Sequence, residues 1–191
     1  IGPYYTGITT TLGAIEAKRT TAWPDMGALC VRLLYEAGVR PGDRVAAGFS
    51  GSFPAMNLAV MAACQSMKVE VIPISSVGAS TYGATDPELT FPEMLHRLVQ
   101  DGVLTTDSAA VTLGGDNDTG DGMLPEQKME ILERLEQAGL VRGAILTALI
   151  CAVVICSVAM ALYTNRPFCL APGMSSVAIL SSVGSMNMTV E

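Results

Sequence analysis

The run Arg44-Val45-Ala46-Ala47-Gly48-Phe49 passes through a short loop, Ser50-Gly51-Ser52-Phe53, straight into Pro54 and an apolar stretch that ends at Met67. A strand that turns this sharply into a helix constrains the fold more than any other feature of the chain. Gly48 and Gly51 permit close backbone approach, and Pro54 suits a first helical position. Backbone N–H groups at such a helix start have no intrahelical partner and face the contents of the loop. A second apolar strand is predicted over 69–75, so the unit reads as β-α-β with parallel strands.

The same reading extends in both directions. A helix is expected over 24–37, closed by Gly38 and a Pro41-Gly42-Asp43 turn. A helix ending near Asp101 follows Asp86-Pro87-Glu88 and Thr90-Phe91-Pro92, a short strand covers 109–113, and an amphipathic helix covers 125–138. Strands alternating with helices predict an α/β, three-layer domain over 1–139, a mostly parallel sheet with helices on both faces. In such folds ligands collect at loops leaving the carboxyl ends of the strands. Three Gly-bearing loops qualify, 48–53, 75–83 and 114–122, and the binding crevice is expected between them.

Residues 140–191 differ in character. The stretch 144–163 is twenty uncharged, mostly apolar residues between Arg142 and Arg166, the length of a transmembrane helix. It accounts for much of the mean hydropathy of +0.42, high for a chain that otherwise patterns as a globular domain. A second stretch, 168–183, is broken by Pro172 and Gly173.

Charge excludes one class of partner. The formal net charge is −7, and the 11 basic residues form no run, with Lys18-Arg19 the only adjacent pair. A phosphate backbone requires clustered cations, so no nucleic acid is expected. The five cysteines, Cys30, Cys64, Cys151, Cys156 and Cys169, lie in apolar contexts without C-x-x-C spacing, which argues against a zinc site or a disulfide framework.

Several constellations could carry chemistry. Hydroxyls of Ser50 and Ser52, with backbone N–H groups from Gly51 onward, form a cradle for a phosphate or carboxylate, but without the lysine of a P-loop. Ser75, Ser76 and Ser80 of the next loop would face the same crevice. Gly48-x-Ser50-x-Ser52 also approaches the nucleophile elbow G-x-S-x-G, with a Ser where the last Gly belongs. A serine hydrolase built on Ser50 would take Asp86 and His96, the only histidine, as its partners. Asp116, Asp118 and Asp121 place three carboxylates within six positions, a set suited to magnesium or calcium, although Gly stands where an EF-hand needs its third ligand.

Four separated segments resemble a known family. Ile8-Thr9-Thr10-Thr11-Leu12-Gly13, Ala17-Lys18-Arg19-Thr20, Gly48-Phe49-Ser50-Gly51-Ser52-Phe53-Pro54-Ala55-Met56-Asn57 and Ile74-Ser75-Ser76-Val77-Gly78-Ala79-Ser80 are similar, in the same order, to the bacterial poly-gamma-glutamate system protein family. The resemblance spans about 1–139. It implies a bacterial, membrane-associated accessory of poly-gamma-glutamate capsule synthesis or export, partnered by that machinery or by the polymer, and it implies that Lys18 and Arg19 meet polyglutamate carboxylates. Family members carry a membrane-anchoring helix upstream of the region where this sequence starts, so the N-terminus is expected to be cut. The tail departs from that pattern. Ala161-Leu162-Tyr163 and Asn165-Arg166-Pro167-Phe168-Cys169-Leu170-Ala171-Pro172-Gly173-Met174 resemble the first-helix region of nucleobase permeases. The expected function is thus anionic-ligand binding in that system; the alternatives are a serine hydrolase and a phosphate-ligand binding module.

Overall fold

A computed structural model describes residues 1–115 and 118–140. The order is β1 (Thr9–Thr11), α1 (Ile15–Thr21), α2 (Asp25–Glu36), β2 (Arg44–Phe49), α3 (Pro54–Met67), β3 (Glu70–Ser76), β4 (Ala79–Ser80), α4 (Phe91–Gln100), β5 (Ala110–Thr112) and α5 (Pro125–Gln137). The fold is mixed α/β with parallel strands. They form two sheets where one was expected: β2-β3-β5, and a small pair β1-β4. Register runs from Arg44 against Glu70 to Phe49 against Ser75, and Ser75 in turn pairs with Val111.

Strand alternation explains the core. Val45, Ala47, Phe49 and Val71 point to one face and are buried against Cys30 and Leu34 of α2, Val60, Met61 and Cys64 of α3, and Phe91 and Leu95 of α4. Phe49 and Phe91 meet edge to face at 5.8 Å between centroids. Val111, which shares the face of Ser75, joins Ile8, Val77, Met123 and the α5 residues Ile131 and Leu135 in a second cluster. The alternate positions Ala46, Gly48, Ile72 and Ile74 remain only half-buried among the described residues.

Helix ends follow the local chemistry. Pro54 opens α3, and Lys68, in the left-handed region at φ 56°, closes it. At the start of α4 the Thr90 N–H and hydroxyl both donate to Glu93 Oε2, while Arg134 of α5 donates to Glu93 Oε1 at 2.9 Å. Burial alone would raise the Glu93 pKa; the hydrogen bonds from Arg134 and Thr90 outweigh it and hold the carboxyl below its ordinary value.

Among the described residues no helix is long and apolar enough to cross a membrane. The candidate span 144–163 and the segment 168–183 lie outside the described residues.

Candidate functional site

Parallel strands deliver their carboxyl ends to one edge, where Gly48, Phe49, Ser50, Ile74, Ser76, Thr112, Gly114 and Asp118 line an open crevice of about 250 Å³. That lies just below the range of roughly 300–1,000 Å³ common for ligand pockets, so it suits a side-chain-sized group better than a whole cofactor. Ser50 and Ser76 therefore stand where the sequence places them. Thr112 and Gly114 join them from the third strand.

The loop between β2 and α3 is held rigidly. Asn57, buried on the first turn of α3, donates to the Ser50 carbonyl at 2.8 Å. The Ser52 N–H donates to Ser50 Oγ at 3.1 Å, and the Ser50 hydroxyl donates to Ser52 Oγ at 3.0 Å. Ser52 Oγ also accepts the Ser80 N–H at 2.9 Å, which ties the loop to β4. Gly51 fits because its backbone presses on the next loop: a Cβ there would stand 2.7 Å from the Val77 carbonyl oxygen. Gly51 thus shapes the site from behind rather than lining it.

Lys18 differs most from its expected place. It is 4% exposed, whereas the family resemblance implies a surface cation that touches polymer. Its Nζ donates to the Ser52 carbonyl and to Ser80 Oγ, each at 2.6 Å, and sits 3.7 Å from the Phe53 ring centroid. Burial pulls its pKa from 10.5 down to about 8. Among the described residues no carboxylate lies within ion-pair distance of it. Arg19 remains exposed on the other side of α1. Adjacent helical residues point about 100° apart, so one of the pair turns inward as the other turns out.

Other candidates are placed elsewhere. Ser75 is fully buried on the opposite face, sharing a hydrogen bond of 2.8 Å with Ser108; strand alternation turns it away from the crevice that Ser76 lines. The structure does not bring Ser50, Asp86 and His96 together. His96 Nδ1 pairs with Asp107 Oδ2 at 2.5 Å and its Nε2 with Gln100 at 2.8 Å, while Asp86 accepts the Glu88 N–H in a local turn. No histidine is thereby left to serve Ser50 as a base. Of the acidic loop, Asp116 lies outside the described residues. Asp118 lines the crevice, accepts the Gly114 N–H at 2.8 Å, and adopts φ 61°. Asp121 accepts the N–H of Gly122. Among the described residues no group of three potential ligands converges as a metal site.

Phe53 and Thr112 were not singled out by sequence. Phe53 directly precedes the helix-opening Pro54, whereas nothing local marks Thr112. Compared with family models, curated proteins and solved structures, the chain matches none.

Proposed function

We propose that the protein is a membrane-associated accessory of bacterial poly-gamma-glutamate synthesis or export, and that it binds an anionic group of its ligand in the crevice at Ser50. The supporting observation is the buried Lys18 ammonium: it stands behind the loop that presents the serine hydroxyls and has no carboxylate among the described residues. A desolvated cation without a counter-ion is stabilised by any anion drawn to its vicinity. Thr112 lines the crevice, and an anion there would draw the Ser50 proton from Ser52 Oγ and the Ser76 proton from the Phe49 carbonyl. The pathway assignment rests on the sequence resemblance. A membrane contact through 144–163, and a second layer over the half-buried sheet face to complete a three-layer domain, belong to the same proposal.

Thermal unfolding of the full chain with poly-gamma-glutamate, short glutamate oligomers and phosphorylated metabolites, each with and without magnesium, tests it. A specific ligand at a hundredfold excess over its Kd adds about 2.7 kcal/mol of stability. Stabilisation by glutamate oligomers supports the proposal. Stabilisation by phosphorylated compounds alone transfers the site to the phosphate-binding alternative, and no stabilisation by any anion refutes it. The serine hydrolase alternative predicts covalent labelling of Ser50 by a fluorophosphonate, and the engagement of His96 Nε2 by Gln100 rather than by Ser50 weighs against it.

A further inference from the structure

We propose that Lys18 is the specificity-determining cation of the crevice, a positioning residue that favours a carboxylate over a carboxamide of the same shape at Ser50 while itself staying behind the loop. This rests on the anion-binding reading above and narrows its ligand to groups that carry a negative charge.

The geometry of the cluster carries the inference. The ammonium has three protons, and three groups receive them: the Ser52 carbonyl, the Ser80 hydroxyl and the face of the Phe53 ring. None carries a compensating charge. From its own helix, the neighbouring charged residues Glu16 and Arg19 are exposed; from the 50–53 loop it meets Ser52 and Phe53; from β4 it meets Ser80. Gly13 closes over the pair, since a Cβ there would stand 2.9 Å from Ser80 Oγ and 3.4 Å from Lys18 Nζ. Among the described residues that line the crevice Asp118 alone is ionisable; its charge disfavours an anion and so cannot be the source of selectivity for one.

Two short links join Lys18 to the crevice. It holds Ser52 through the backbone carbonyl, and it holds Ser80, whose N–H donates to Ser52 Oγ, the acceptor of the Ser50 hydroxyl. The Ser80 N–H and the Ser50 hydroxyl both donate into Ser52 Oγ, so these links fix positions, and the charge acts on the crevice through its field, weakly screened in a low-dielectric interior. A carboxylate gains from that field and a neutral amide does not. Thermodynamic reciprocity then requires the carboxylate to favour the protonated lysine by the same factor. The lysine titrates near pH 8, so carboxylate affinity declines above that pH and amide affinity stays level.

Calorimetric titration of the full chain with glutarate and with glutaramide, from pH 6.5 to 9.5, tests this. Glutarate affinity is expected to fall by roughly tenfold across the range, within the span usual for coupled sites, while glutaramide binds weakly and without pH dependence. Lys18→Met is expected to bind glutarate at the level the wild type shows at pH 9.5, with a flat profile. Glutarate binding that is strong but equally pH-independent in the wild type overturns the inference and leaves the anion site standing. Absence of glutarate binding at every pH overturns both. If Lys18→Met does not fold, ¹³C NMR of the Lys18 ε-methylene in the wild type decides: its titration midpoint must rise when glutarate saturates the protein, and an unchanged midpoint refutes the coupling.

Discussion

Replacing Lys18 with Met should change how the stability of the protein depends on pH, in a direction fixed by the sign of the lysine's shift. In the unfolded chain the ammonium titrates near 10.5, and in the folded protein near 8. Below pH 8 both states carry the proton and the folded state bears the whole cost of a desolvated charge. Between pH 8 and 10.5 the unfolded state holds more protons, so stability contributed by this group rises with pH. The separation of the two values corresponds to about 3 kcal/mol at most. Solvent screening at the edge of the cluster reduces the part recovered between pH 7 and 9.5 to about 1–2 kcal/mol. The variant loses this dependence. It also loses the bonds to the Ser52 carbonyl and Ser80 Oγ, each worth about 1 kcal/mol, but that cost is nearly constant with pH. Urea unfolding of both proteins at pH 7, 8, 9 and 9.5 therefore isolates the effect as a difference between curves. Wild-type stability should gain on the variant by about 1–2 kcal/mol over the range; a constant difference would show that Lys18 keeps its ordinary pKa and that burial does not disfavour its charge.

Three further outcomes follow from the geometry. Gly51→Ala forces a methyl group to within 2.7 Å of the Val77 carbonyl oxygen, so it should cost about 1–3 kcal/mol in urea unfolding and weaken glutarate binding with it. Glu93→Gln removes a carboxylate held below its ordinary pKa by Arg134 and Thr90; the stability it supplies is present above the unfolded carboxyl pKa and lost as pH falls through the depressed folded value. Acid unfolding of the variant should accordingly be less steep than that of the wild type, and identical acid slopes would refute the assignment. Ser50→Ala should leave the melting temperature within a few degrees, because Ser52 Oγ still accepts the Ser80 N–H, yet lower glutarate affinity by several-fold in calorimetry.

Local pattern alone settled the β-α-β framework. The strand expected over 44–49 is β2, the helix over 54–67 is α3, and the amphipathic segment over 125–138 is α5, each within a residue of its observed limits. Those elements carry their own signals: apolar periodicity, Pro at a helix start, Gly at a turn. β1, α1 and β4 escaped the sequence reading because three threonines, a seven-residue helix and a two-residue strand form no period long enough to read. The two strands exist because they pair with each other across some seventy positions.

The candidate site divides in the same way. A Gly/Ser loop at the end of a parallel strand announces a crevice from sequence, and Ser50 and Ser76 duly line it. Which serine faces which side was decided by the pleat, and it sends Ser75 into the core while its neighbour Ser76 opens to the crevice. Lys18 and Arg19 are adjacent cations of the same helix, and nothing in their order says which is buried. That choice is made by Ser52, Phe53 and Ser80, two of them in the loop between β2 and α3 and one on β4, which together offer an ammonium two acceptors and an aromatic face. Sequence determines the longer helices, strands and turns because those preferences act over a few residues; only the tertiary structure assigns the charge its place, because desolvation and its compensation are properties of groups brought together from distant parts of the chain.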